Sequence, residues 1–170
     1  MFSQIKLGFF LLVEKLLAWC IIPKFRAAIL RSLGAQIGRN VRIYDIRFIN
    51  LKNGFKNLKV GDDVHIGTDC LFDLEGYITI GNGSTLSPRV LILSHQDPGS
   101  SHNSPLTKKF PPEVGHTIIG DYCWVGANST LISGVSIDNG AVVAAGSLIN
   151  KNVQNNSLVA GVRSRKIKDL

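Results

Sequence analysis

The sequence predicts an all-β chain, a parallel β-helix, preceded by an N-terminal helical segment. Two observations carry this. From 119 to 154 the chain reads in sixes: Ile119, Val125, Leu131, Ile137, Val143 and Ile149 recur at every sixth residue. Four places after each comes a small or short residue: Cys123, Ser129, Val135, Ala141, Ser147 and Val153. A period of six fits neither an α-helix at 3.6 nor a strand at 2.0. It fits a solenoid in which each six gives one short strand and one corner, and three sixes close a triangular coil. The aliphatic residue turns inward and stacks on its copy one coil along. The small residue turns inward near the corner, and Gly120, Gly126 and Gly134 fall where tight corners need positive φ or room. The second observation is that residues 1–33 are rich in Leu, Ile and Phe but ignore the period.

In chain order, FSQIKLGFFLLVEKLLAWCII reads as a helix interrupted at Pro23. A second basic helix, KFRAAILRSL, follows and ends at Gly34. The span 5–22 sums to near zero on an insertion scale. Its eleven Leu, Ile, Val or Phe contribute about −0.3 to −0.6 kcal/mol each, against roughly 2.5–3.5 for each of Glu14 and Lys15 near its middle. No small-residue cleavage site follows, so it is not a signal peptide. Two readings stay open. The helix packs on the end of the β-helix or on a partner subunit, or it lies on a membrane face with Lys6, Lys15, Lys24, Arg26 and Arg31 toward anionic lipid. Repeats begin at Ile37, break over 50–59, resume at Val60 and slip by two at Ile78–Thr79. They are lost over 94–118, a long loop holding four of the six prolines. Long loops of this kind are usually functional. The expected organisation is a helical segment (1–33), a β-helix domain (34–160) with an excursion loop (94–118), and a basic tail (161–170).

The chain has 170 residues, 45% hydrophobic, with net charge +7. That is one domain with an ample core, and the charge favours an anionic ligand or surface. Nucleic acid is not an expected partner, because no aromatic-basic, helix-turn-helix or zinc-finger pattern is present. Cys20, Cys70 and Cys123 form no CxxC. Cys70 and Cys123 fall in the small inward column and read as core thiols of a reducing compartment.

The strings DYCWVGANSTLISGVSI, NGAVVAAGSLINKNV, LSH at 93–95 and the ending AGVRSRKI resemble the hexapeptide-repeat acyltransferases, in the maltose/galactoside/xenobiotic O-acetyltransferase branch. The resemblance covers roughly 33–168. It implies a left-handed β-helix, a homotrimer, and acetyl-CoA as co-substrate with no metal.

Acetyl transfer from a thioester to a hydroxyl needs a base, a donor for the oxyanion, and both substrates in line. His95 is the expected base. It stands where the last regular coil opens into the loop, imidazole titrates nearest neutrality, and Ser94-His95 matches the family's (Ser/Thr)-His. His102 and His116 share the loop, and His116, close to the re-entry coil, is the rival. His65 takes an outward repeat position. By resemblance the oxyanion donor is the backbone N–H of Ala127, in WVGAN. Trp124, Ala127, Ala145, Asn150, Lys151, Arg165 and Lys168 would hold coenzyme A, the last two at its phosphates. Arg163 and Ser164 replace the family's Pro-Ala in the tail. At the acceptor, Gly67 replaces the sugar-binding asparagine, and Asp73 falls nearby, to hold a sugar hydroxyl, orient His95 or cap a corner. His116 joins Asp73 as an acceptor-binding candidate.

The implied function is acetyl-CoA-dependent O-acetylation of a surface polysaccharide or its lipid-linked precursor, in the cytoplasm or at the inner face of its membrane. The alternatives are N-acetylation of a nucleotide-linked amino sugar and a non-catalytic β-helix scaffold. A γ-type carbonic anhydrase is disfavoured, because the histidines 65, 95, 102 and 116 contain no His-x4-His pair.

Overall fold

The computed structural model describes the backbone of residues 2–162 and 165–169. The six-residue columns become the inside of a triangular prism. Ile119, Val125, Leu131, Ile137, Val143 and Ile149 are all buried, as are Cys123, Ser129, Val135, Ala141, Ser147 and Val153. Burying one such aliphatic side chain contributes about 1.5–3 kcal/mol, but only once a second coil covers it.

Three parallel sheets form the faces. The first stacks Gln36–Ile37, Leu58–Val60, Ile78–Ile80, Thr117–Ile119 and Ser136–Ile137. The second stacks Arg42–Ile43, His65–Ile66, Thr85–Leu86, Trp124–Val125, Val142–Val143 and Ser157–Ala160. The third stacks Ile46–Ile49, Cys70–Asp73, Leu91–Ile92, Thr130–Leu131 and Leu148–Ile149. The register keeps like on like: Ile119 lies beside Ile80 and Ile137, and Leu131 beside Ile92 and Ile149. At the corner between the first and second faces a ladder of side chains runs along the prism. Asp62 accepts from the Arg39 N–H, Asn82 from Asp62, Asp121 from Asn82 and Asn139 from Asp121, at 2.6–2.8 Å. Two glycines show both uses of a missing side chain. Gly134 has φ of 83°, and a Cβ on Gly126 would lie 2.4 Å from the Ala145 backbone nitrogen.

The irregular segments all leave at the corner between the third and first faces. Residues 50–57 form a short 3-10 turn, Leu51–Asn53, that buries Leu51 and Phe55. The first-face strand therefore restarts at Leu58, two residues before the six-residue count places it. The slip is absorbed at 74–77, and Ile78 and Ile80 both point inward. The long excursion is shorter than 94–118. His95–Gln96 pairs antiparallel with Glu113–Val114, and the coil strand already begins at Thr117. The tail is not a loose extension, for Arg165–Asp169 pairs antiparallel with Ser157–Ala160.

Two helices, α1 (Phe2–Leu17) and α2 (Pro23–Ser32), cover the first coil. Pro23 opens α2 where its missing N–H costs nothing, and Gly34 closes it with φ of 103°. Phe10 of α1 packs edge-on against Phe55 at 5.7 Å. Side chains satisfy backbone groups of the first coil that no earlier coil can reach. Glu14 accepts from the Phe48 N–H, Arg26 donates to the carbonyls of Leu17 and Ile43, and Arg31 to those of Ile37 and Gly38. Arg26 is 3% exposed, so its expected place toward lipid is corrected: it is an internal cap joining α1, α2 and the first coil. Arg26→Ala should lower the unfolding free energy by at least about 2 kcal/mol, because two carbonyls lose charged donors inside the protein. Urea unfolding checks this.

Candidate active site

The third-to-first corner brings together three residues from three successive coils. Asn50 follows the strand of the first coil, Asp73 ends that of the second, and His95 follows that of the third. The register pairs Ile49 with Asp73 and Phe72 with Ile92, so the coil length carries each residue onto the last. Asp73 is fully buried. Its Oδ2 accepts from the backbone N–H of Ser94 at 3.0 Å and of His95 at 3.1 Å. The same oxygen lies 2.5 Å from His95 Nδ1. Its Oδ1 accepts from the Asn50 amide at 2.8 Å and the Glu75 N–H at 3.1 Å. Ser94, also fully buried, donates to the Asp73 carbonyl and accepts from the Gly76 N–H.

Burial acts to raise the Asp73 pKa. The hydrogen bonds from His95, Asn50, Ser94 and Glu75 outweigh it and hold the carboxyl below its ordinary value. An ionised carboxylate at 2.5 Å makes Nδ1 the protonated nitrogen of His95 and leaves the Nε2 lone pair for a substrate proton. The His95 side chain is 29% exposed and lines a cavity of about 340 Å³ with Leu93, Gln96, Glu113, Ile132 and Ser133. The site therefore holds a fixed imidazole with one nitrogen anchored and the other facing open space, the arrangement a general base needs.

The other expected residues fall in two places. Asn150 and Lys151 are exposed on the same corner, one coil beyond Ile132 and Ser133. His116 is exposed, and its Nδ1 accepts from the Tyr77 N–H at 3.2 Å, with the rings 5.1 Å apart. Ala127 and Ala145 stack on the neighbouring corner, between the second and third faces, where the Gly146 N–H donates to the Ala127 carbonyl. Trp124 stands just before that corner, 54% exposed, its indole N–H donating to Ser87. Within one chain, the third face thus separates Ala127 from His95. Arg165 and Lys168 lie on the backbone of the last strand, and their side chains lie outside the described residues, as do Arg163 and Ser164. A side chain on Gly67 would meet the Pro88 nitrogen at 2.8 Å, so that corner has no room for the asparagine it replaces. His65 is half-buried against Tyr44, and burial, then Arg42, lower its pKa. Cys70 and Cys123 are buried core thiols, burial pushing Cys70 up to about 11. Asn50 is the residue that sequence reasoning missed. The only signal for it is its position directly after the first coil strand, stacked on the end of the next. Among the described residues no cluster of His, Cys, Asp or Glu could hold a metal ion.

Because the folded Asp73 pKa is depressed, its ionised form stabilises the fold. That contribution is complete above the unfolded value near about 3.9 and is lost as pH falls through the folded value. The unfolding free-energy gap between wild type and Asp73→Asn should narrow as pH falls below about 4. Urea titrations across that range check it, and a gap unaffected by pH would mean Asp73 is not ionised.

Residues 116–151 match the bacterial transferase hexapeptide (six repeats) family. The chain is 31% identical over 147 residues to the putative colanic acid biosynthesis acetyltransferase WcaF of Escherichia coli K12, covering 85% of this chain and 75% of that protein. It is 31% identical over 118 residues to the putative lipopolysaccharide biosynthesis O-acetyl transferase WbbJ of the same organism. That match covers 66% of this chain but only 57% of WbbJ. The crystal structure of the hexapeptide-repeat containing acetyltransferase VCA0836 from Vibrio cholerae superposes with a TM-score of 0.82 at 20% identity, covering 100% of this chain and 93% of that one. VCA0836 has also been solved with acetyl-coenzyme A. The prism is thus the left-handed parallel β-helix, and this chain belongs to the hexapeptide-repeat acyltransferase family.

Proposed function

We propose that this chain transfers the acetyl group of acetyl-CoA to a sugar hydroxyl of a surface polysaccharide or its lipid-linked precursor. The observation that carries the reading is His95, anchored through Nδ1 to a buried carboxylate and facing a cavity. Nε2 takes the proton of the acceptor hydroxyl as its oxygen attacks the thioester carbonyl. The tetrahedral intermediate collapses, the C–S bond breaks, and the imidazolium returns the proton to the leaving thiolate. Asp73 keeps the ring oriented and offsets its transient positive charge. The names of WcaF and WbbJ, both putative transferases of surface-polysaccharide biosynthesis, support the acceptor class.

Ala127 and the stacked Ala145 lie one corner away from His95. In this reading a second copy supplies that corner, so that the Ala127 N–H of one chain faces the thioester beside His95 of the next. Coenzyme A would lie in the groove between the two, flanked by Trp124, with Asn150, Lys151, Arg165 and Lys168 toward its outer end. A trimer would give three such grooves. Asp73 is taken up by His95, Asn50 and backbone donors, so its role is to position the base. Acceptor contact falls to the cavity rim and to His116.

His95→Ala should lower turnover by at least about 10²-fold with coenzyme A affinity nearly unchanged. Steady-state kinetics and calorimetry check this, and wild-type turnover would remove His95 from the chemistry. The product should lose its acetyl group in mild base, as an ester does. A base-stable product would instead identify an amide and an amino-sugar acceptor. Sedimentation should give an active trimer, and a stable, fully active monomer would overturn the two-chain site.

A further inference from the structure

Helix α1 carries two apolar stripes, and the fold uses one. Leu7, Phe10 and Leu17 turn toward the first coil. Ile5, Phe9, Leu12 and Leu16 recur at spacings of four, three and four on the opposite side and are 52–63% exposed. At 3.6 residues per turn these four fall within an arc of about 60°. Exposed Lys15 flanks the arc on one side and exposed Lys6 on the other. Through Leu16 the stripe runs into a shallow apolar hollow of about 450 Å³ formed by Trp19, Ile21, Ile22 and Phe25. Trp19 is 85% exposed and Ile21 90%. A continuous apolar surface of this size, rimmed by cations, marks an interaction site.

The charges select the partner. Besides the buried Arg26, residues 1–33 hold exposed Lys6, Lys15, Lys24 and Arg31 against one acidic residue, Glu14. Glu14 is buried, accepting from the Phe48 N–H and lying 3.3 Å from the Lys15 ammonium. The described residues of the two helices and their bend therefore offer cations around an apolar stripe and no exposed carboxylate. A second copy stacked face to face would set lysines against lysines. An anionic lipid surface supplies what is missing: phosphates for the lysine ammonium groups, and a boundary of acyl chains and headgroups for the stripe and for an exposed indole. No described helix is long and apolar enough to cross a membrane, so α1 would lie in the plane of the surface.

We propose that α1 and the bend from Trp19 to Phe25 dock this protein on an anionic phospholipid surface. The docking does not depend on the transferase reading, because it is read without any acetyl transfer.

The test is co-sedimentation of the full chain with vesicles of phosphatidylcholine alone or mixed with phosphatidylglycerol. Wild type should bind the anionic vesicles at least about 10-fold more tightly than the neutral ones, and less tightly as salt rises. Lys6→Gln with Lys24→Gln should weaken anionic binding by about 30-fold. Trp19→Ser with Ile21→Ser, both at exposed positions, should abolish it while leaving the thermal midpoint within a few degrees of wild type. Equal or absent binding to the two vesicle types would overturn the proposal. So would a Trp19→Ser/Ile21→Ser variant that sediments as a smaller species while wild type ignores vesicles, since the face then joins copies of the chain. Capture by polyglutamate but not by anionic vesicles would also overturn it.

Discussion

Each strand inside the stack hydrogen-bonds along the prism to the coil before it and the coil after it. A coil that drifts loses both its backbone partners and its place in the aliphatic column, so the stack tolerates extra residues only where the chain already turns. All three irregular segments, 50–57, 74–77 and the long excursion, leave at the same corner. The site follows from that. A residue ending or just following a third-face strand is held by the stack on one side and freed by an insertion on the other. Asn50 and Asp73 are 23 residues apart in sequence, Asp73 and His95 are 22, and one coil length with its insertion carries each onto the next.

A stack also has ends. The first coil has backbone groups with no earlier coil to meet, and here charged side chains meet them. Glu14, Arg26 and Arg31 reach from the two helices to Phe48, Ile43, Ile37 and Gly38. At the far end the second face is closed by an antiparallel strand, Arg165–Asp169, rather than by another coil. A reversal of strand direction stops the repeat, because the next six-residue unit has no parallel edge to continue from.

The six-residue register was legible in the sequence because each inward position must be aliphatic or small in every coil, and six consecutive units obeyed it. His95 was legible as the point where that register fails. The partners of His95 were less so. Asn50 lies inside a stretch that reads as a loop, and only the register of Ile49 on Asp73 puts its amide on the carboxylate. Arg26 read as a surface charge because a helical pattern shows which residues share a face, not which face is covered. The distance between Ala127 and His95 was hidden for a related reason. Periodicity says that residues are stacked, but the irregular length of the excursion hides which of three corners each one occupies.

Adjacent coils lie about 4.7–4.9 Å apart, so His95, following the third coil, stands about 10 Å along the prism from the first. The helices over that first coil add about another 10 Å. If the helices dock on lipid as proposed, a base at His95 would stand too high for an ester linkage buried among acyl chains and at the height of a sugar carried one or two residues above a lipid phosphate. Asp73 holds the ring, and the backbone donors of Ser94, His95 and Glu75 hold Asp73. An acceptor tethered to the surface would have to bring its own reach, and the length of its glycan would then set which hydroxyl arrives at Nε2.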